Sequence, residues 1–137
     1  MDTARQPLTR NQALVLDSLE KAEGPLSAYA LLDRLRDDGF RAPLQVYRAL
    51  DALMKTGLVH RLESLNSFVA CHGAHDHDHD GMTGFAICET CGQVVEFADR
   101  VVAERFEDWS RANGFRPKRT VVELRGTCGQ CAAKETQ

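Results

Sequence analysis

The chain has 137 residues, 43% of them hydrophobic, and a formal net charge of −3 at pH 7. This length allows one ordinary domain or two small ones, and no apolar run approaches the ~20 residues of a membrane-spanning helix. The N-terminus lacks a stretch of the signal-peptide type, so we expect a cytoplasmic protein whose five cysteines stay reduced. Metal binding then explains the cysteines better than disulfides.

The overall charge does not indicate nucleic-acid binding. Residues 1–57 carry eight Lys/Arg and eight Asp/Glu, whereas residues 58–137 carry nine and twelve. Any DNA binding must therefore come from a local positive face, doubled by dimerisation, rather than from the net charge.

The first third of the sequence predicts three helices. The first starts with the capping-box pattern Thr9-Arg-Asn-Gln12 and ends before Gly24-Pro25. The second runs from the cap Ser27 to Gly39, and the third from Pro43 to Gly57. The residues that recur at helical spacing are Gln12, Val15, Leu16 and Leu19; Ala28, Leu31, Leu32 and Leu35; and Val46, Ala49, Leu50 and Leu53.

The next segment, LVHRLESLNSFVACH, contains two β-rich runs around Leu65-Asn66-Ser67 and predicts a hairpin. Three short helices followed by a hairpin are typical of a winged helix-turn-helix, whose third helix enters the major groove of DNA. From the pattern alone, the alternative is a small helical domain with an unrelated hairpin.

An Asp/His/Gly-rich loop then marks a domain boundary. We expect a winged-helix domain at residues 1–72, a hinge loop at 73–83 and a C-terminal domain at 84–137. In the C-terminal part, FAICETCGQVVEFA predicts two short strands around a Cys-x-x-Cys turn, and RTVVELRGTC predicts another strand. Between them, residues 99–113 predict a helix that buries Val102, Phe106 and Trp109. Such a small module needs a staple or a partner.

Two Cys-x-x-Cys pairs, Cys88/Cys91 and Cys128/Cys131, are separated by 36 residues and each sits at a predicted strand end. Each turn can point two thiolates at one ion, and two turns complete a closed tetrahedral Cys₄ zinc site. The alternatives are two unrelated thiol pairs or a redox motif, which lacks the thioredoxin-like βαβ context here. A zinc ion would act as the staple, because its binding free energy becomes folding free energy.

The loop CHGAHDHDHD, from Cys71 to Asp80, holds four histidines, three aspartates and one cysteine. It is either a nonspecific metal-binding loop or, in part, a contributor to a defined site.

The stretches SAYALLDRLR, VYRALDALMKTGLVHRLES and NSFVACH, together with the paired Cys-x-x-Cys motifs, resemble the ferric uptake regulator (Fur) family over nearly the whole chain. The resemblance is strongest to its zinc uptake regulator branch. It implies an α+β fold with an N-terminal winged helix-turn-helix and a small C-terminal α/β dimerisation domain stapled by the Cys₄ zinc. It also implies a homodimer with two zinc ions per chain, one structural and one regulatory.

By the same motifs, the regulatory ligands would be His60, Cys71, a loop histidine and Glu96. His79 follows Cys71 at the spacing of the zinc branch, and His77 is the substitute. One thiolate, two imidazoles and one carboxylate suit Zn²⁺, whereas a thiolate disfavours Fe²⁺ or Mn²⁺. Taken singly, His60 could be an ordinary strand histidine and Glu96 a surface carboxylate. The other loop histidines either capture zinc or belong to a solvated linker.

Three residues are candidates for DNA contacts. Arg48 matches the family position expected to reach a guanine, and the same resemblance implies that Tyr29 contacts a base or a phosphate. Gln45 lies off the apolar stripe near the start of the third helix, where relatives often carry Thr. The alternatives are a solvated helix face for Arg48 and a half-buried ring for Tyr29.

We therefore expect a zinc-activated repressor of zinc-uptake genes that binds double-stranded DNA and no membrane or small-molecule substrate. Zinc would tie the two modules together and favour the DNA-competent form. An enzyme is not expected, because the sequence has no HExxH motif and no Ser/His/Asp arrangement. The alternatives are a family member that senses iron, manganese or peroxide, and a zinc storage or chaperone protein, which would leave the helix-turn-helix pattern unexplained.

Overall fold

Residues 7–71 and 82–135 are described in this computed structural model. The chain divides into two units, Met1–Cys71 and His72–Gln137. Histidines 72, 75, 77 and 79 lie outside the described residues. Among the described residues, no helix is long and apolar enough to cross a membrane.

The first unit contains the three predicted helices: α1 (Arg10–Lys21), α2 (Ala28–Arg34) and α3 (Pro43–Lys55). The capping box of α1 is formed in both directions. Thr9 Oγ1 accepts a hydrogen bond from the Gln12 N–H at 3.2 Å, and Gln12 Oε1 accepts one from the Thr9 N–H at 3.2 Å. These bonds satisfy amide groups that the start of a helix otherwise leaves unpaired, and they define where α1 begins.

Helix α2 ends earlier than the sequence predicted. Leu35 leaves helical geometry at φ −104°, and a single 3₁₀ turn, Arg36–Asp38, carries the chain to Gly39 at φ 99°. Glycine adopts this left-handed conformation without the strain that a side chain would impose. The Phe40 N–H then bonds back to the Leu35 carbonyl at 3.2 Å, and the Phe40 ring is buried. The predicted stop at Gly39 thus ends the 3₁₀ turn rather than the α-helix.

The core of the first unit is built from the apolar stripes of all three helices and from the strands that follow. All four predicted positions of α2 and of α3 belong to it, whereas Leu16 of α1 is only partly buried. The buried cluster consists of Val15, Leu19, Ala28, Leu31, Leu32, Leu35, Phe40, Val46, Ala49, Leu50, Leu53, Val59, Phe68 and Ala70.

The wing of the first unit is an antiparallel hairpin of β1 (Val59–Leu62) and β2 (Ser67–Ala70). Asn66 takes φ 50° in the turn, which asparagine tolerates better than most residues. Leu26, between α1 and α2, adds an isolated bridge to β2 through two backbone hydrogen bonds with Phe68, at 3.0 and 2.8 Å. The sequence did not predict this bridge. The predicted winged helix-turn-helix is confirmed.

The second unit is a three-stranded sheet in the order β4-β3-β5, with two helices. Strand β3 (Thr83–Cys88) is central; β4 (Val94–Phe97) pairs with it antiparallel and β5 (Val121–Gly126) pairs with it parallel. A parallel neighbour requires a crossover, and α4 (Arg100–Ala112) lies within it. The short helix α5 (Gly129–Glu135) follows β5. This is the small α/β module that the sequence predicted.

The buried face of α4 is not the one predicted. Phe106 is 42% exposed and Trp109 58% exposed, and the residues that are buried on this helix are Ala103 and Ser110. Val102 is half-buried. The Trp109 ring meets Phe115 edge-on, with centroids 5.9 Å apart. Helical spacing identified an apolar side of α4 but not what covers it, so the prediction for the two aromatic residues was wrong.

Candidate metal centre

The four cysteines of the two Cys-x-x-Cys motifs meet at one edge of the second sheet. Cys88 ends β3, and the turn that follows carries Cys91. The parallel register pairs Cys88 with Gly126, the last residue of β5. Because both parallel strands end at the same edge, Cys128 and Cys131 emerge beside the first pair. Two motifs distant in sequence are thus brought together by strand pairing.

The spacing of the sulfur atoms fits a zinc ion. The four Sγ atoms all lie within 4.8 Å of one another, and those of Cys91 and Cys128 are 3.9 Å apart. A tetrahedral site with Zn–S bonds of about 2.3 Å needs sulfur atoms about 3.8 Å apart, whereas a disulfide needs about 2.05 Å. All four are free thiols, two of them buried (Cys88 and Cys131). The donor set is therefore that of a closed structural zinc site.

Two backbone amides donate hydrogen bonds to one of the sulfur atoms. The Cys128 N–H donates to Cys88 Sγ at 3.3 Å, and the Cys91 N–H donates to the same atom at 3.4 Å. These two bonds, led by that from Cys128, lower the pKa of Cys88 to about 6. Each motif therefore contributes an amide that stabilises a thiolate of the site.

The opposite shift occurs at Cys131, whose pKa is raised to about 12. Hydrogen bonding to the neighbouring Cys128 thiol is the main cause, followed by burial. Four sulfur atoms this close cannot all ionise without a cation, because each thiolate disfavours the next. A bound divalent zinc ion would supply compensating positive charge, and its binding would release the remaining protons.

An ion pair next to the cysteines was not predicted from the sequence. Arg125 Nη2 and Nε donate to Glu89 Oε2 at 2.7 and 3.1 Å, and the Glu89 N–H donates to the Gly126 carbonyl at 2.7 Å. These contacts link the first cysteine turn to the end of β5. Both charged side chains are about half exposed (52% each), so the pair contributes about 1 kcal/mol or less. No local signal in the sequence points to it.

A histidine and a cysteine that could bind a metal ion lie on the wing. His60 of β1 pairs with Val69 of β2, and the Cys71 N–H donates to the Leu58 carbonyl at 2.8 Å. His60 and Cys71 therefore share one face of the hairpin, since alternate residues of a strand point the same way. A ring nitrogen of His60 and the Cys71 sulfur lie within 4.8 Å of each other, and His60 Nε2 is buried. This spacing allows both to bind one ion.

The other two predicted regulatory ligands are a loop histidine and Glu96. His79, like its substitute His77, lies outside the described residues. Glu96 is half-buried on β4 of the second unit, where it pairs with Phe85 of β3. Their assignment stays a prediction.

The predicted DNA-contact residues lie on α2 and α3. Arg48 is exposed on α3, and Tyr29, in the first turn of α2, is 65% exposed rather than half-buried. Gln45 is half-buried, and its Oε1 accepts hydrogen bonds from the backbone N–H groups of Arg41 at 2.6 Å and Ala42 at 3.0 Å. This capping role was not predicted from the sequence, although a glutamine in the first turn of a helix is a known signal for it.

A winged helix joined to a small α/β unit with a four-cysteine zinc-type centre defines a metal-binding helix-turn-helix protein. The chain belongs to the ferric uptake regulator family, whose model matches residues 6–125.

The chain is similar to the following three proteins. The zinc uptake regulation protein of Escherichia coli (strain K12) is 37% identical over 129 residues, which cover 93% of this chain and 74% of that protein. The crystal structure of holo XcZur superposes with a TM-score of 0.84 at 42% identity, covering 96% of this chain and 91% of the other. A zinc uptake regulator complexed with zinc and DNA gives a TM-score of 0.87 at 36% identity, covering 96% and 87%. The resemblance to the family is confirmed.

Proposed function

We propose that this protein is a zinc-responsive DNA-binding repressor of zinc-uptake genes, and that it is not an enzyme. The observation that carries the proposal is the similarity, over 96% of the chain, to a zinc uptake regulator complexed with zinc and DNA. The winged helix supplies the element that such proteins insert into the major groove. Because its target is DNA, we propose the cytoplasm as its place of action.

One zinc ion is proposed to be structural and held by Cys88, Cys91, Cys128 and Cys131. Four thiolates leave no open position for water or substrate, so this ion would act in folding and not in chemistry. The support is that the four sulfur atoms lie within 4.8 Å of one another and that two backbone amides donate hydrogen bonds to Cys88 Sγ. The second unit is too small to depend on its apolar core alone, and metal binding would add to its folding free energy.

A second zinc ion is proposed to be regulatory and held by His60, Cys71, a loop histidine and Glu96. The support is that His60 and Cys71 present an imidazole and a thiol within 4.8 Å on one face of the wing. A thiolate in the set favours zinc over harder Fe²⁺ or Mn²⁺. We retain His79 as the loop ligand, with His77 as its substitute.

DNA recognition is proposed to depend on α3 and on the first turn of α2. Arg48, Gln45 and Tyr29 would face the duplex, with Arg48 reaching a guanine in the major groove. In such proteins two recognition helices of a dimer read half-sites about 34–36 Å apart. The proposed homodimer is supported by large exposed apolar side chains of the second unit: Val101, Phe106, Trp109, Phe115, Val121 and Leu124.

The switch then follows from where the regulatory ligands lie in the sequence. His60 and Cys71 belong to the wing, and Glu96 belongs to the second unit. An ion bound by all of them would restrict how the two units move and would favour the arrangement that fits DNA. Zinc can shift this equilibrium only by its difference in affinity for the two forms. A coupling of about 1–3 kcal/mol changes DNA affinity by about 5- to 150-fold.

The test is a titration of DNA binding with defined metals. Fluorescence anisotropy with a duplex selected by the protein from a random-sequence library should show specific binding with Zn²⁺ that chelation reverses. Fe²⁺ or Mn²⁺ at matched free concentration should be less effective. A protein that binds zinc but no specific duplex would support storage instead, and a stronger response to Fe²⁺ would support an iron sensor.

A further inference from the structure

The side-chain amide of Gln45 has a fixed orientation. Its Oε1 accepts from the backbone N–H groups of Arg41 and Ala42, at 2.6 and 3.0 Å. Both partners are donors, so only the carbonyl oxygen of the amide can face them, and the NH₂ group must point the other way. The helix requires this acceptor, because Ala42 stands at the N-cap position of α3 without a side chain able to cap it.

The amide therefore offers only donors to anything that approaches α3. A free glutamine can present an acceptor and a donor together, which is how it pairs with both N6 and N7 of adenine. In Gln45 the acceptor is already used twice within the protein, and Nε2 retains its two N–H groups. Gln45 and the exposed Arg48 are three positions apart on α3 and so are neighbours on its surface.

Resting on the proposed function, we propose that Gln45 is a specificity-determining residue that selects guanine by donating from Nε2. The N-terminal residues of a recognition helix are those that meet base edges. Guanine presents two adjacent acceptors, N7 and O6, to the major groove and so matches a group that offers only donors. Adenine and thymine present one acceptor each, N7 beside the N6 donor and O4 beside a methyl group, and cytosine N4 is a donor.

The competing explanation is that Gln45 only caps the helix. Two substitutions separate the two roles. Gln45→Glu keeps an oxygen acceptor for the amides of Arg41 and Ala42, and a negative charge suits a helix start, but it removes the donor. Gln45→Ala removes both the cap and the donor. Thermal unfolding of the zinc-loaded protein should therefore leave Gln45→Glu within about 2 °C of the wild type and lower Gln45→Ala by about 4 °C or more.

DNA affinity is then measured by fluorescence anisotropy on a duplex selected from a random-sequence library by the zinc-loaded wild-type protein. Each base pair is varied in turn, and each guanine is replaced by 7-deazaguanine. For the wild type, replacing one guanine other than the one contacted by Arg48 should lower the affinity by about tenfold. Gln45→Glu should bind the parent duplex at least about tenfold more weakly than the wild type, and its affinity should no longer depend on that guanine. Its affinity for a scrambled duplex measures how much of the loss comes from the added negative charge.

A Gln45→Glu protein with the wild-type base preference at every position would overturn the inference while leaving the proposed function intact. So would a position that requires the N6 amino group of adenine and loses that requirement in Gln45→Ala but not in Gln45→Glu, or a Gln45→Ala protein that melts like the wild type. A wild-type protein without zinc-dependent preference for any duplex would overturn both.

Discussion

The Sγ atoms of Cys91 and Cys128 lie 3.9 Å apart, although the two residues are 37 positions apart in the chain. The parallel pairing of β3 with β5 brings them together, because it aligns Cys88 with Gly126. The sheet and the metal centre are thus mutually dependent: the register positions the thiols, and an ion on the thiols would hold the register.

The first prediction follows from that dependence. Cys88→Ser or Cys128→Ser should remove the proposed structural zinc ion and unfold the second unit or dissociate the dimer, because the free energy of metal binding would be part of the folding free energy. Elemental analysis after mild chelation, circular dichroism and sedimentation would measure the three effects. A zinc-free variant that is folded and dimeric would disprove the structural role of the site.

The second prediction concerns the proposed regulatory ligands. Cys71→Ser removes the thiol next to His60 and leaves the four-cysteine centre untouched. The variant should fold, keep one zinc ion per chain by elemental analysis, and lose zinc-dependent DNA binding in the anisotropy titration. His79→Ala should weaken zinc-dependent DNA binding less than Cys71→Ser does if His77 can bind the ion in place of His79. His72→Ala and His75→Ala should change zinc-dependent DNA binding little. Equal small losses in all four variants would favour a nonspecific metal-binding loop.

The third prediction tests the recognition helix. Arg48→Ala should abolish specific operator binding, since a bidentate contact with guanine discriminates by about 1–3 kcal/mol in each half-site. Zinc content and the dimer should be unaffected, because Arg48 is exposed on α3. Anisotropy with specific and scrambled duplexes provides the measurement. Unchanged discrimination would mean that α3 does not read the bases through Arg48.

The fourth prediction tests the packing of the second sheet. Gly84 of β3 pairs with Phe97 of β4, and a Cβ atom on Gly84 would lie 2.6 and 2.7 Å from Cε2 and Cε1 of the Phe97 ring. Gly84→Ala should therefore lower the free energy of unfolding by about 1–3 kcal/mol. Gly126→Ala on β5 is the matched control, because nothing lies within 4 Å of its Cβ position. Chemical denaturation of the zinc-loaded protein would compare them, and equal stabilities would contradict the contact.

The fifth prediction concerns the exposed aromatic residues of α4. Trp109 is 58% exposed, and if the second unit forms the dimer, Trp109→Ser should weaken association by about tenfold or more. Sedimentation equilibrium would measure the dimer dissociation constant. Arg111→Ser on the same helix is a polar control, since its ion pair with Asp108 is exposed. An unchanged constant for Trp109→Ser would exclude this part of α4 from the interface.

The sequence by itself determined the features that depend on a few neighbouring residues. The capping box of Thr9 and Gln12 places the start of α1, and the spacing of Val46, Ala49, Leu50 and Leu53 identifies the buried side of α3. Cap hydrogen bonds and helical periodicity act within one or two turns, so they can be read without knowing the fold. The two Cys-x-x-Cys motifs indicated zinc for the same reason, since each positions its own pair of thiols.

Only the tertiary structure decided which distant parts meet. The convergence of the two cysteine pairs needed the β3–β5 register, and the bridge of Leu26 to Phe68 needed the wing to fold back on the helices. The exposure of Phe106 and Trp109 on α4 contradicted the predicted burial, because periodicity shows that a helix has an apolar side but not whether anything covers it. Gln45 shows the same limit at the level of one side chain. A glutamine in the first turn of a helix is a local signal for capping, but only the structure shows that the Gln45 oxygen accepts both backbone N–H groups and so leaves the nitrogen free to donate.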